Sequence, residues 1–295
     1  MEQATTTATK TVAQITAEVV DRFAATPDPR LREIMQALVR HLHGFVDEVK
    51  LQEEEWGEAI QFLTATGQIS DDKRQEFILL SDVLGVTMVT DLVTQNKPPG
   101  TTESTVLGPF YREGAPKRAA GENMSPEDPG TPLILKGRVL DLQGNPIAGA
   151  ELDTFQAGST GFYDSQMPEL DEMRWRGVYT TDAEGRYLIR TVRPLYYQVP
   201  TDGPVGKILR STGRHSWRPA HIHFVITAPG CQKLTTHLFD SVDPYLRSDT
   251  VFAVKDSLIC TFAEHLTPDS MARQLGIEGP YLTNEFDFVM SPEMR

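Results

Sequence analysis

Up to Lys97 the apolar residues of this chain recur every three or four positions. Beyond Lys97-Pro98-Pro99-Gly100 they alternate, or run in short blocks between glycine- and proline-rich turns. A 3.6-residue repeat buries one stripe of a helix, and a two-residue repeat buries one face of a strand. The chain is therefore expected to fold as a helical segment followed by a strand-rich one. Asp28-Pro29 offers an N-cap and a first-turn proline. The stripe Leu31, Ile34, Leu38, Leu42, Phe45 and Val49 follows. The same spacing predicts helices over 11–25 (Val12, Ile15, Val19, Val20, Phe23) and over 53–65 (Trp56, Ile60, Leu63), the latter closed by Gly67. It predicts another over 71–94 (Phe77, Leu80, Leu84, Met88, Leu92). Four such helices cannot build a large core alone, so they should pack on the rest of the chain or on a second copy.

In the second part, strands are expected over 133–142, 150–156, 177–181, 187–192, 221–227 and 234–239. Gln143-Gly144-Asn145-Pro146 marks a turn. Thr181-Asp182-Ala183-Glu184-Gly185-Arg186-Tyr187 reads as a hairpin with glycine at positive φ. Short strands between such turns imply a sandwich or barrel. Residues 114–132 are polar and read as irregular, and no internal repeat is visible. The division falls at 1–105, helical, and 106–295, a β-sandwich, making the chain mainly β with α.

A net charge of −13 argues against a nucleic-acid surface. No run is long and apolar enough for a membrane span, and Met1-Glu2-Gln3-Ala4 does not open like a signal peptide. The two cysteines, Cys231 and Cys260, offer neither a disulfide framework nor zinc spacing. They read as reduced thiols in a cytoplasmic protein.

Within the strand-rich part, Arg218-Pro219-Ala220-His221-Ile222-His223-Phe224 places two imidazoles at i and i+2 of a strand. Both rings then face one side, as half of a metal site, with an arginine at the strand's mouth. No carboxylate or cysteine stands beside them to complete a zinc or ferrous set. The anionic oxygens nearby in sequence are phenols: Tyr163 in Gly161-Phe162-Tyr163-Asp164, and Tyr196 and Tyr197 in Pro194-Leu195-Tyr196-Tyr197. Phenolate is a hard donor suited to ferric iron. Two tyrosinates and a hydroxide neutralise Fe(III), which makes its burial far less costly. Taken singly, each of these residues would more often be structural.

The ordered set Leu107-Gly108-Pro109-Phe110-Tyr111, Gly161-Phe162-Tyr163, Thr181 to Tyr187, Pro194-x-x-Tyr197 and Arg218 to Phe224 resembles the intradiol ring-cleaving dioxygenases. The resemblance implies one non-haem Fe(III) per subunit, held by Tyr163, Tyr197, His221 and His223. It implies a small aromatic diol or triol and O2 as substrates. It also implies a homodimer joined through the N-terminal helices, with a phospholipid at that interface. The Pro-x-x-Tyr spacing selects Tyr197 over Tyr196. In the implied mechanism Tyr197 leaves the iron and takes a substrate proton, and Arg218 stabilises charge developing on the ring carbon and oxygen.

Three features resemble the hydroxyquinol (benzene-1,2,4-triol) branch. These are the Asp202-Gly203-Pro204-Val205-Gly206-Lys207 segment, His237, and the pair Leu79 and Asp82 on one helix. A carboxylate at Asp82 would accept a hydrogen bond from a third ring hydroxyl that catechol lacks. Leu107, Gly108, Pro109, Phe110, Val199, Pro200 and Val251 complete the implied substrate pocket, with Arg218. Catechol is the alternative substrate. A non-catalytic, ligand-binding sandwich is the alternative of a different class.

Overall fold

A computed structural model of the protein describes residues 9–71, 74–94, 97–167, 170 and 172–293. The chain divides into two compact units, Met1–Ala65 and Thr66–Arg295. Helix α1 spans Val12–Arg22, and its start is closed by a reciprocal cap between Thr11 and Gln14. Helix α2 spans Pro29–Val49. The Asp28 side chain accepts from the Arg30 and Leu31 amides, and Lys50 ends the helix in a left-handed turn. The apolar face of α2 stays exposed in the single chain: Leu31, Ile34, Leu38, Leu42, Phe45 and Val49 all lie on the surface.

Helix α3 runs from Glu53 to Ile69, through the expected stop at Gly67, because nothing obliges that glycine to leave helical geometry. The expected helix over 71–94 is instead two, α4 (Glu76–Val83) and α5 (Val86–Thr94), bent by 78°. Gly85 adopts φ +73°, a value that ends the first helix and re-aims the second. Asp72 and Lys73 of the expected helix lie outside the described residues. Among the described residues no single helix is long and apolar enough to cross a membrane.

The second unit holds strands β1 (Pro132–Leu140), β2 (Glu151–Gln156), β3 (Arg176–Thr180), β4 (Arg186–Val192) and β5 (Tyr197–Gln198), then helix α6 (Pro204–Ser211). Strands β6 (Trp217–Arg218), β7 (His221–Thr227), β8 (Leu234–Asp240), β9 (Ile259–Cys260) and β10 (Ala263–His265) follow. Helix α7 (Ser270–Gln274), β11 (Tyr281–Glu285) and β12 (Phe288–Val289) complete it. One sheet runs β10-β11-β1-β12 with β4 on β1; the other runs β3-β2-β7-β8-β9; β5 and β6 form a ribbon apart. Strand β1 lies parallel to both β11 and β12.

The two five-stranded sheets share one core. Leu133, Leu135, Val139 and Ile189 of one meet Leu152, Ile222, Phe224, Ile226 and Leu238 of the other. This is the sandwich the turn spacing implied. The 181–187 turn is nevertheless not a hairpin: β3 pairs with β2 and β4 pairs with β1, so the turn carries the chain from one sheet to the other. Its local chemistry is as read, with Gly185 at φ +70° and the Asp182 carboxylate capping the Glu184 and Arg186 amides. A turn sets local direction, whereas pairing is decided by which faces must be buried. Residues 114–132 lack long strands but are tethered to both sheets, by bridges Lys117–Val178 and Asn123–Arg190, and they plug the core with the fully buried Met124. Both cysteines are unpaired.

Candidate active site

Every residue of β7 except Thr227 is buried. Strand alternation sends Ile222, Phe224 and Ile226 into the intersheet core and leaves His221 and His223 on the opposite face. There the register sets His223 between Phe155 of β2 and His237 of β8, and His221 opposite Phe239. The Phe155 ring stacks on His223 at 4.0 Å.

Four donor atoms meet on this face. The Tyr163 hydroxyl lies 3.0 Å from His223 Nε2 and 3.4 Å from the Tyr197 hydroxyl. His221 Nε2 lies 3.1 Å from His223 Nε2. Arg218 Nη1 closes the circle, donating to the Tyr197 oxygen and to His221 Nε2, each at 3.2 Å. All five side chains are buried. Tyr196 turns away, half exposed, and packs on Trp217 and Tyr245. Adjacent extended residues face opposite sides, so the two tyrosines of the pair part company.

Each member of the circle is held from behind. Tyr163 opens a short 3₁₀ turn (Asp164–Gln166), its amide donating to Gln166 Oε1. Asp164 next to it is fixed by the buried Arg176, which also donates to the Phe110 carbonyl at 2.7 Å. Phe110 in turn stacks on Tyr163, centroids 4.5 Å apart. Gly108, at φ +78°, lets the 107–110 loop lie against His223; a Cβ there would stand 3.3 Å from the ring carbon Cε1. The His221 Nδ1 atom lies 2.6 Å from the Pro219 carbonyl. A carbonyl only accepts, so Nδ1 carries the proton and the Nε2 lone pair faces the cluster. Arg218 is anchored by Asp249, with Nε 3.2 Å from Oδ1.

Burial, with the nearby Arg218, holds His221 well below the ordinary imidazole value; burial and the neighbouring imidazoles do the same to His223. Both are neutral at pH 7 and so able to bind a cation. Burial, reinforced by Tyr197, pushes the Tyr163 phenol well above its ordinary value. It therefore stays a phenol unless a strong positive charge arrives. Arg218 keeps its charge because Asp249 and the phenol oxygens outweigh the burial cost.

This donor set fits ferric iron. Donor atoms 3.0 to 3.4 Å apart have the spacing of ligands that share one cation at about 2 Å each. Two ionisable phenols supply hard anionic oxygen. Among the described His, Cys and carboxylate groups able to hold a metal, one cluster stands out, His221, His223 and His237, and no carboxylate joins it. His237 thus stands beside the pair as a third buried imidazole, a position that follows from the β7–β8 register.

A cavity of about 310 Å³ opens beside the cluster, and Leu79, Pro109, Phe110 and Pro200 are among its walls. Arg74 and Glu76, which the sequence does not single out, line it too. Val199 and Val251 are buried with Leu79 in one apolar cluster, whereas Leu107 is more exposed. Asp82 is buried, and its Oδ1 has no hydrogen-bond partner among the described residues. Burial raises its carboxyl from 3.8, opposed by Thr87 and Arg218. A larger cavity of about 490 Å³, lined by Arg214, His215 and Asp249, lies away from the donors. No spacing motif in the sequence marks Asp249 or Phe155; only the strand pairing places Phe155 against His223.

Residues 106–292 match the family model described as dioxygenase, and residues 28–102 match that of the catechol dioxygenase N terminus. The chain is 49% identical over 280 residues to the 6-chlorohydroxyquinol 1,2-dioxygenase of Cupriavidus pinatubonensis, covering 95% of this chain and 97% of that one. It is 46% identical over 275 residues to the hydroxyquinol 1,2-dioxygenase of a Rhizobium species, covering 92% and 93%. The crystal structure of the Pseudomonas putida hydroxyquinol 1,2-dioxygenase superposes with a TM-score of 0.90 at 50% identity, covering 96% of this chain and 99% of that one.

Proposed function

The chain belongs to the intradiol ring-cleaving dioxygenases, and from that premise we propose that it opens hydroxyquinol between its two adjacent hydroxylated carbons. One ferric ion per chain would be held by Tyr163, Tyr197, His221 and His223. The observation that carries this reading is the convergence of those four donor atoms around the Arg218 guanidinium. When bound, ferric iron supplies the Lewis acid that holds the diol as a dianion and opens its ring carbons to O2.

The chain's own residues divide the remaining work. Tyr163 is clamped by Phe110 and the Asp164–Arg176 pair and stays in place. In this reading the Tyr197 oxygen takes a proton from an incoming hydroxyl and gives up the hydrogen bond it accepts from Arg218. Arg218, freed of that partner, turns its Nη1 donor to the charge that develops on substrate oxygen. Phe110 and the close-lying Gly108 loop keep water off the His223 side. Asp82, with an unpaired acceptor oxygen, receives the third ring hydroxyl. A site that leaves such an acceptor unmatched rejects the ligand lacking the donor.

Iron content, oxygen uptake and the turnover ratio of benzene-1,2,4-triol to catechol test this together. The expected result is one iron per chain and a ratio above one. Faster catechol turnover would make the chain a catechol 1,2-dioxygenase, and iron-free, inert protein would remove the enzymatic reading.

The exposed apolar face of α2 supports pairing of two copies through the N-terminal helices, with a phospholipid seated there. Its test is the mass of the native particle before and after lipid extraction. Two unpaired thiols accord with a cytoplasmic location.

A further inference from the structure

Arg218 is a fork with two ends. Its Nη1 end points into the donor circle, and its Nε and Nη2 end grips Asp249, at 3.2 Å to Oδ1 and 3.5 Å to Oδ2. Asp249 is itself buried and fixed by the 249–253 turn. The Val251 amide donates to its Oδ1 at 3.3 Å and the Ala253 amide to its Oδ2 at 3.1 Å. To aim both amides at one carboxylate, the turn drives Phe252 to φ +60°, a conformation costly for a side chain of that size. Arg214 braces the same turn: one nitrogen donates to the Thr250 carbonyl at 2.9 Å and another to the Val83 carbonyl, at the end of the helix that carries Asp82, at 2.6 Å. Strained backbone, two convergent amides and a buried ion pair all serve one carboxylate.

We propose that Asp249 is the positioning residue of the ring-cleavage reaction: it holds Arg218 so that one guanidinium nitrogen stays aimed into the donor circle, on the Tyr197 oxygen before substrate arrives and on substrate charge afterwards. Two consequences follow from charge and geometry. A buried guanidinium without its counter-ion would seek the nearest anionic oxygen, and in the iron-loaded chain that oxygen is a tyrosinate. Asp249 satisfies the cation and leaves its Nη1 donor available for charge that forms on substrate. The bidentate grip also fixes the plane of the guanidinium, which a single contact would leave free to rotate.

The inference rests on the ring-cleavage reading, and a double-mutant cycle on iron-loaded full-length protein separates the two. Asp249→Asn keeps shape and hydrogen bonding but removes the charge. It should lower kcat about 10- to 100-fold, the usual effect of removing an outer-shell partner, with KM little changed. The visible tyrosinate-to-iron band should persist at full iron content with a shifted maximum. In an Arg218→Gln background the same change should cost less than about twofold, because the residue it acts through is gone. Should Asp249→Asn fail to give folded protein, Asp249→Glu, with its carboxylate displaced by one carbon, takes its place in the cycle. Additive losses in the two backgrounds, an unmoved band with unchanged kcat, or loss of iron from the single variant would each overturn the proposal. Wild-type protein without oxygen uptake on triol would instead overturn the ring-cleavage reading itself.

Discussion

The two faces of β7 are buried alike but made differently. Ile222, Phe224 and Ile226 fill the intersheet core and need nothing further. His221 and His223, one residue out of phase, stand among phenols and a guanidinium, where burial keeps the imidazoles neutral and Tyr163 protonated. One face contributes stability on folding. The other spends it, and on the proposed ferric reading would recover it when a cation turns four close-set donors into ligands. A two-residue repeat in seven positions thus writes stability and chemistry onto a single strand.

Neighbouring substitutions should pull the two faces apart. His223→Ala is expected to abolish iron binding, the visible band and oxygen uptake while the protein still folds; retained iron at full occupancy would break the contrast. Phe224→Ala, next door, should lose about 3 to 5 kcal/mol in denaturant unfolding, with iron content per folded molecule unchanged. Iron itself should stabilise by about 4 kcal/mol when free metal exceeds its Kd about a thousandfold. Loading should release protons, since the Tyr163 phenol must ionise, so affinity should rise with pH; calorimetry in buffers of different ionisation enthalpy reads this.

Asp82→Asn should reduce the triol-to-catechol ratio about 10- to 100-fold. Because burial raises the Asp82 carboxyl above 3.8, the folded chain binds its proton more tightly than the unfolded one. The ionised group therefore costs stability at pH values above that window, and the cost vanishes as pH falls below it. The same variant should accordingly be more thermostable at pH 7, and a drop in midpoint would refute that account. Ile222→Val, on the core face, should cost only about 0.5 to 1.5 kcal/mol and leave both turnover and the band unaltered.

Much of this was legible from local pattern. The His-x-His spacing forces both rings to one side, and the Asp28 cap and the α2 stripe are visible in the residues alone. What escaped depends on pairing between distant segments. The 181–187 turn has hairpin chemistry yet joins two sheets, because β1 and β2 compete for its flanking strands. Gly85 and Gly67 are alike in sequence, but only Gly85 takes positive φ. Phe155 reaches the site through register, and Asp249 through an ion pair to a residue upstream.

The parallel pairing of β1 with β11 and β12 also sets a clock. At typical synthesis rates, β1 leaves the ribosome on the order of ten seconds before its partners do. Until then the core face of β7 lacks part of the sheet that covers it. If the four donors hold ferric iron, capture of the metal would await the strands that cover the core face of β7, and a nascent chain paused before residue 281 should take up no iron.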